Sequence, residues 1–349
     1  MTTYAAYDDG LRVVDDDRER VDRQLDGRAV ECVTTSRDET NASRDEPDAS
    51  RGETDASRNA QGRVFVGTVG DGAYRSTAGR DRFERIPLGV DTERTADPAV
   101  TAVAVSPHDP DEVWIGTEPS RVLRSVDGGD SFTRLDGLTD VSSVSEWSFP
   151  PRPETHHVRW IEPCPGDPDQ WYVGIEAGAL LVTSDSGETW IDRPPGSRRD
   201  NHTLGTHPDA PDRVYAAAGD GYAESDDRGA TWSLAMDGLD HGYVWGLAVD
   251  PDDPDTVFVS AAASASAAHR RGEAYLYRKR GDAAWERLDD RGVPTGEGTH
   301  RAALASDETS GAVVVLNDHG LYRTTDAGET FERVAVDLPS KPPRGLAVG

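Results

Sequence analysis

The sequence has few positive charges and almost no lysine. In its 349 residues, 37 lysines and arginines stand against 65 aspartates and glutamates, a formal net charge of −28. The two lysines are Lys279 and Lys341, so nearly all the positive charge is arginine. Because nucleic acids and anionic membranes are bound through basic patches, this composition argues against both as partners.

Long apolar segments are also missing. Residues 1–9 contain neither a basic segment nor an apolar stretch of signal-peptide length, and no window is apolar enough for a membrane span. We therefore expect a cytoplasmic location. Cysteine is scarce too: Cys32 and Cys164 lie in apolar, strand-like runs where a free thiol behaves as a small hydrophobic group, so no disulfide is expected. No cofactor is predicted.

A Pro/Asp phrase that recurs four times reveals an internal repeat. Each copy combines proline, which fixes φ, with aspartate, which bonds its own backbone. Aromatic and β-branched residues follow at once, so each copy predicts a turn that leads into a strand. The four copies occupy residues 106–114, 164–172, 207–215 and 250–258.

A second phrase, Ser/Thr-x-Asp-x-Gly-x-Ser/Thr-aromatic, also occurs four times. Its aspartate can accept N–H groups of the turn, its glycine permits positive φ, and its aromatic ring can fill the gap between neighbouring sheets. The copies occupy residues 125–132, 183–190, 225–232 and 324–331. Their aspartates are Asp127, Asp185, Asp227 and Asp326.

The two phrases together predict a repeating four-stranded antiparallel blade: strand A, Pro/Asp turn, strands B and C, the second phrase, strand D. Strand A begins near Ala29, Val100, Val158, His202, Val244 and Arg301, which gives six units. Three N-terminal strands and one C-terminal strand, residues 344–348, complete a seventh. We predict one all-β domain over residues 1–349, a seven-bladed β-propeller closed by strands from both termini. Because the repeat phrases are degenerate or missing in three units, a count that differs by one blade stays open.

One segment, residues 36–62, does not fit a blade. It is a near-repeat of Ala-Ser-Arg with acidic residues, and it contains no apolar side chain larger than alanine. Such a segment cannot bury enough surface to offset its ordering entropy. It is predicted to be a disordered, acidic, low-complexity insertion between strands A and B of the second blade.

On the four copies of the second phrase, the chain resembles the Asp-box (BNR) repeat propellers. Single propellers of about this size resemble the photosystem II assembly-factor type and the sortilin type, which bind proteins or peptides. The resemblance implies that Asp127, Asp185, Asp227 and Asp326 stabilise the fold on the face away from the ligand.

Enzymes also belong to this group, namely sialidases and xyloglucanases. Residues 85–87 read Arg-Ile-Pro, as in sialidases, but they end an outermost strand, and sialidases have six blades. Xyloglucanases need a cleft between two propellers, and the chain has the length of one. The enzyme resemblance is therefore the less close of the two.

The repeat register predicts which residues lie at the mouth of the central channel, on the face opposite the Asp boxes. The position six residues before the turn proline, or its equivalent, is occupied by Thr101, Arg159, His202, Trp245, Arg301 and Arg344. Since guanidinium groups suit carboxylate or phosphate, we predict that this mouth binds a protein segment or a small anionic ligand. The predicted ligand-binding residues are Arg159, His202, Trp245, Arg301 and Arg344. The alternative is that these arginines pair with acidic residues of neighbouring blades and hold the ring together.

Two further possibilities concern the same face. Loop carboxylates beside the arginines, Glu118 or Glu176, with Asp220 and Asp318 in equivalent loops, could serve a glycoside hydrolase or lyase. No metal is predicted, although His157, His202, His241 and His300 are the candidate ligands. Three long insertions crowd this face, which points to it as the functional one. They occupy residues 136–155, 261–273 and 288–299.

The acidic, lysine-poor composition resembles that of proteins from extreme halophiles, in which salt screens the self-repulsion of the surface. We expect the Tm to be several degrees higher in about 1 M KCl than in about 0.1 M KCl. Thermal unfolding followed by circular dichroism measures this, with sucrose as the control, because sucrose stabilises proteins without screening charge. A Tm that does not rise with KCl contradicts this interpretation.

Overall fold

The computed structural model describes residues 1–36, 62–76, 82–89 and 98–349. Regular structure in these ranges is almost entirely β-strand. Three short helical turns lie at Asp16–Arg18, Val144–Glu146 and Ala267–Arg271. None of the helices in these ranges has the length and apolar character that crossing a membrane requires.

The strands of the described ranges form seven antiparallel sheets, which we number as blades 1 to 7. Blade 1 combines β1 (Thr2–Tyr7), β2 (Gly10–Asp15) and β3 (Arg20–Gln24) with the last strand of the chain, β29 (Gly345–Val348). Blade 2 contains β4 (Val30–Thr35), β5 (Val64–Thr68), β6 (Ala73–Ser76) and β7 (Phe83–Ile86). Blade 3 contains β8 (Ala99–Val105), β9 (Val113–Glu118), β10 (Val122–Ser125) and β11 (Thr133–Leu135). Blade 4 contains β12 (Val158–Pro163), β13 (Trp171–Ile175), β14 (Leu180–Thr183) and β15 (Ile191–Asp192).

The other three blades follow the same order. Blade 5 contains β16 (Asn201–Thr206), β17 (Val214–Ala218), β18 (Gly221–Ser225) and β19 (Ser233–Leu234). Blade 6 contains β20 (Tyr243–Asp250), β21 (Asp253–Ala262), β22 (Glu273–Arg280) and β23 (Glu286–Arg287), and β24 (Gly296–Glu297) pairs with β22. Blade 7 contains β25 (Ala303–Ser306), β26 (Val313–Asn317), β27 (Gly320–Thr324) and β28 (Glu332–Arg333).

The first strand of each repeat unit is the innermost strand of its blade. These inner strands are β29, β4, β8, β12, β16, β20 and β25, and each contacts the inner strand of the next blade, the last one contacting the first. Pairing of β29 with β1 closes the ring. The predicted seven-bladed propeller, with one blade shared between the two termini, is confirmed.

Most of the hydrophobic core lies between neighbouring blades. Trp114 of β9 stacks on Trp171 of β13, with ring centroids 4.3 Å apart and planes 10° apart. Trp190, the aromatic residue of the second phrase in blade 4, packs edge-on against Trp114 at 6.4 Å. Aromatic contacts of this kind add to the burial of apolar surface and fix each blade against its neighbour.

The insertion predicted for residues 36–62 falls between β4 and β5, which are strands A and B of blade 2. Residues 37–61 lie outside the described residues, so their predicted disorder stays a prediction. The Arg-Ile-Pro triplet lies at the end of β7, the outermost strand of blade 2, as its place in the repeat indicated.

The four turns formed by the second phrase share one hydrogen-bond pattern, which blade 4 illustrates. Asp185 Oδ1 accepts hydrogen bonds from the Thr183 hydroxyl at 2.8 Å and from the Thr189 amide at 2.8 Å, and Oδ2 accepts from the Thr189 hydroxyl at 2.5 Å. The hydrogen bonds from Thr189 and Thr183 lower the pKa of Asp185 against the opposing effect of burial. Gly187 adopts φ +87°, which favours glycine. The carboxylate of each aspartate thus accepts hydrogen bonds from within the turn that contains it, and so stabilises that turn.

We expect Asp185→Asn to lower the free energy of unfolding by about 1 kcal/mol at neutral pH, because an amide cannot accept all three hydrogen bonds. Since folding lowers the pKa of this carboxyl, its stabilisation is present above its ordinary value and is lost as the pH falls through the lowered one. The difference between variant and wild type should therefore shrink below about pH 4.

Guanidinium unfolding at a series of pH values measures this difference. Glu188→Gln is the matched control, because it removes an exposed charge from the same turn and should leave stability unchanged. A loss of stability in Asp185→Asn that is the same at low and neutral pH would show that the carboxylate is not the stabilising group.

Candidate functional site

Five inner strands carry an extra residue at the same place near their start. In blades 2 to 6 the pairing register between strands A and B skips one residue of strand A, which is a β-bulge. A bulge redirects the side chain of the extra residue. The five bulged residues are Glu31, Thr101, Arg159, His202 and Trp245. In blades 7 and 1 the corresponding residues, Arg301 and Arg344, lie just before the inner strand.

Four of these residues, each from a different blade, meet around one indole ring. The guanidinium carbon of Arg301 lies 3.9 Å from the centroid of the Trp245 ring, and that of Arg159 lies 4.8 Å from it. The imidazole of His202 lies 4.4 Å from the same indole, centroid to centroid. We call Arg159, His202, Trp245 and Arg301 the channel-mouth cluster. Cation–π contacts with the indole help to hold the two guanidinium groups in place.

Arg301 has no carboxylate partner within 4.0 Å among the described residues. Its Nε donates to His269 Nδ1 at 3.0 Å, and one terminal nitrogen donates to the carbonyl of Pro343 at 3.0 Å. Burial, together with the positive charges of Arg159 and Arg344, lowers the pKa of Arg301 to about 9. A buried cation held by neutral groups favours an added anion.

Arg159 is only 6% exposed, yet its guanidinium makes no hydrogen bond to any residue in the described ranges. Its nearest carboxylate is Glu176, whose Oε2 lies 3.7 Å from Arg159 Nε. Glu176 belongs to the same blade. Arg344, by contrast, is exposed and lies 3.6 Å from Glu31 of the next blade. Pairing across blades, the alternative raised by the sequence, thus describes one of the three arginines.

His269, from the insertion of residues 261–273, joins the cluster through the short helical turn Ala267–Arg271. Its Nδ1 accepts from Arg301, so the proton of the neutral ring lies on Nε2, which donates to Tyr243 Oη at 2.9 Å. His269 is exposed as a residue, but desolvation of its ring beside the cluster and the charge of Arg301 lower its pKa to about 3. His269 therefore stays neutral and orients Arg301.

Two carboxylates, Glu176 and Asp200, lie close to His202. Glu176 Oε2 lies 3.1 Å from His157 Nε2. Burial opposes the charged form of Glu176, but the hydrogen bond from His157 and the neighbouring positive charges lower its pKa to about 2. Asp200 Oδ1 accepts from the Ala177 amide at 2.9 Å. Burial raises the pKa of Asp200, and the charge of Glu176 adds to this effect.

The other predicted carboxylates are occupied elsewhere. Glu118 forms a two-point ion pair with Arg152, with contacts of 2.9 and 2.5 Å. Asp318 accepts from the amide and the imidazole of His300, both at 2.9 Å. Asp220 accepts weakly from the amides that precede β16, at 3.3 and 3.4 Å.

The four candidate metal-binding histidines do not all converge, although His157 and His202 both lie near Glu176. His300 pairs with Asp318, and His241 stacks on Tyr275 with 4.2 Å between ring centroids. His157 contacts Glu176. Among the described residues, His202 is the one histidine that forms a three-residue group with two carboxylates suited to a metal ion.

Sequence reasoning missed Glu31, Asp200, Tyr243 and His269. Glu31 escaped notice because the insertion of residues 36–62 replaces the turn phrase from which the register was counted. Asp200 precedes His202 by two residues and could have been found by extending strand A backwards. Tyr243 holds the equivalent place two residues before Trp245, at the start of β20, and could have been found in the same way. The position of His269 depends on the path of an insertion and left no signal.

A shallow cavity of about 640 Å³ lies apart from the channel-mouth cluster. It is lined by Tyr275, Asp289 and Val293, among others, and includes no residue of the cluster. The insertion of residues 288–299 forms much of its wall.

No family model and no curated protein matches the chain, but solved structures resemble it. The GH74 enzyme from Niastella koreensis has a TM-score of 0.66 at 15% identity, over 99% of this chain and 52% of that one. An ancestral GH74 enzyme has a TM-score of 0.58 at 17% identity, over 77% of this chain and 36% of that one. YCF48 bound to a D1 peptide has a TM-score of 0.54 at 18% identity, over 78% of this chain and 80% of that one.

These likenesses establish the propeller fold and leave function open. The chain spans only about half, or less, of the length of the two GH74 enzymes. The similar structures also include both enzymes and a peptide-bound protein.

Proposed function

We propose that the chain is a non-catalytic binding propeller whose channel mouth takes the carboxylate of a protein segment or of a small anionic ligand. The main support is Arg159, which is buried and makes no hydrogen bond within the described part of the chain, although Glu176 lies 3.7 Å from its Nε. Buried N–H groups without acceptors are costly. A carboxylate placed between Arg159 and Arg301 would supply those acceptors.

The geometry of Trp245 favours a planar anion. Both guanidinium groups pack against its indole, at 3.9 and 4.8 Å, so the number of orientations they can adopt is small. Guanidinium forks held in this way present paired N–H groups, which match carboxylate better than a spherical ion. Arg344, exposed at the rim beside Glu31, adds positive charge where the ligand enters.

A peptide carboxylate is the first ligand to test, because the similar propeller YCF48 is known with a bound D1 peptide. We propose further that the chain is an Asp-box propeller of the cytoplasm of a salt-adapted cell. The four equivalent turns and the net charge of −28 support this proposal.

We expect peptides with a free C-terminal carboxylate to bind at least tenfold more tightly than the same peptides as C-terminal amides. The double variant Arg159→Gln/Arg301→Gln should lose this preference, since charge-assisted hydrogen bonds contribute about 1.5 to 3 kcal/mol each. Isothermal titration calorimetry in about 1 M KCl with a small peptide library makes the measurement.

Arg270→Gln is the matched control, because Arg270 is an exposed arginine outside the cluster, in the same helical turn as His269. The melting temperature of each variant separates lost binding from lost structure. Acid and amide peptides that bind wild type equally, or a folded double variant that keeps the preference, would contradict the proposal.

A second candidate function, glycoside cleavage by a hydrolase or lyase, draws on one observation. The neighbouring carboxyls Glu176 and Asp200 have pKa values displaced in opposite directions, a pattern typical of acid and base pairs. Aryl glycosides and acidic polysaccharides test it: turnover that disappears in Glu176→Gln would favour the enzyme. Turnover that survives in the variant, or none in wild type, would exclude this role for Glu176.

A further inference from the structure

The imidazole of His202 is held in one tautomer by the backbone. Its Nδ1 lies 2.7 Å from the carbonyl oxygen of Val244. Because a carbonyl oxygen can only accept, Nδ1 must donate, and the neutral ring therefore keeps its lone pair on Nε2. Metal-binding histidines show this arrangement, with the second ring nitrogen donating to a carbonyl or carboxylate.

That lone pair has no partner in the protein. His202 is fully buried, and Nε2 makes no hydrogen bond. Nε2 lies 3.7 Å from Asp200 Oδ1, so a neutral ring turns an electron pair toward an acidic group. Buried polar atoms without partners are rare in native proteins. A cation at this point would satisfy His202 and the carboxylates together.

The carboxylates around Nε2 are held in place by the chain. Asp200 Oδ1 accepts a hydrogen bond from the Ala177 amide. Its Oδ2 packs so closely against Gly219 that a Cβ added to this glycine would lie 1.9 Å from the oxygen. Glu176 is oriented by His157 at 3.1 Å. These contacts orient both carboxylates before any ion binds.

The spacing of the three groups suits one ion. One atom each from Glu176, Asp200 and His202 lie within 4.8 Å of one another. In a tetrahedral zinc site with metal–ligand distances of about 2.1 Å, the ligand atoms lie about 3.4 Å apart. Binding would therefore draw the three atoms closer together by up to about 1.4 Å.

We propose that Glu176, Asp200 and His202 form a binding site for a divalent transition-metal ion, Zn²⁺ or Mn²⁺. One imidazole nitrogen with two carboxylates favours these ions over Mg²⁺ and Ca²⁺, which prefer oxygen ligands alone. The positive charge of Arg159, 3.7 Å from Glu176, opposes the ion, and the two carboxylates favour it. The site does not depend on the proposed ligand function, although a bound carboxylate could reach both Arg159 and the metal.

The test titrates chelator-treated full-length protein with ZnCl₂, MnCl₂ or MgCl₂ alone, with no peptide present. Calorimetry should show one Zn²⁺ per chain in wild type. Glu176→Gln, Asp200→Asn and His202→Gln should each weaken binding at least tenfold, and MgCl₂ should bind more weakly than ZnCl₂ by a similar factor. His300→Gln is the matched control, because His300 also pairs with an aspartate but lies outside the group.

Two results would overturn the proposal: no Zn²⁺ or Mn²⁺ binding to wild type, or equal binding to wild type and the three folded variants, which would mark ions adsorbed to an acidic surface. If the His202 variant fails to fold, Gly219→Ala perturbs Asp200 without removing a ligand and should also weaken binding tenfold. Gly242→Ala, whose added Cβ would meet only Met236 at 3.9 Å, is its control.

Electron paramagnetic resonance of Mn²⁺ bound to the wild-type protein tests the proposed ligation by His202 without any variant. Coupling to a nitrogen nucleus is expected from His202, and a spectrum without it overturns the proposal. Because no anionic ligand enters these experiments, their failure would leave the carboxylate-binding proposal standing.

Discussion

Pairing of the last strand with the first closes the ring that brings the inner strands of the seven blades together. β29 runs antiparallel to β1, with Thr3 opposite Val348 and Ala6 opposite Gly345. This pairing converts an open row of blades into a ring and leaves no inner strand without neighbours on both sides. It also brings Arg344 beside Glu31, two residues more than three hundred positions apart in sequence. Without closure, the seven equivalent positions would not face a common axis.

Within this ring, the bulge near the start of the inner strand separates the scaffold from the site. The hydrogen bonds of strands A and B recur from blade to blade, while the extra residue changes from glutamate to threonine, arginine, histidine and tryptophan. The fold therefore fixes where these side chains go and does not restrict what they are. Function in such a protein is carried by the set of residues at these positions.

The repeats made much of this structure predictable. Two short phrases, each present four times, located the blades, and the register of the Pro/Asp phrase indicated that Arg159, His202, Trp245 and Arg301 lie at equivalent places. The phrase could not reveal Glu31, because the insertion of residues 36–62 interrupts blade 2 at the turn. The contacts of Arg301 with His269 and of His202 with Asp200 depend on loop paths and distances, which no periodic pattern encodes. For the same reason, the sequence left open whether the arginines pair with acidic residues.

The most direct test of the central claim is an atomic-resolution crystal structure of the chain in high salt with a C-terminal peptide acid. It should show Arg159 and Arg301 both packed on Trp245, with the peptide carboxylate bound to the free N–H groups of Arg159. A structure in which protein acceptors satisfy Arg159 completely, or in which the two guanidinium groups point away from the channel, would contradict the account.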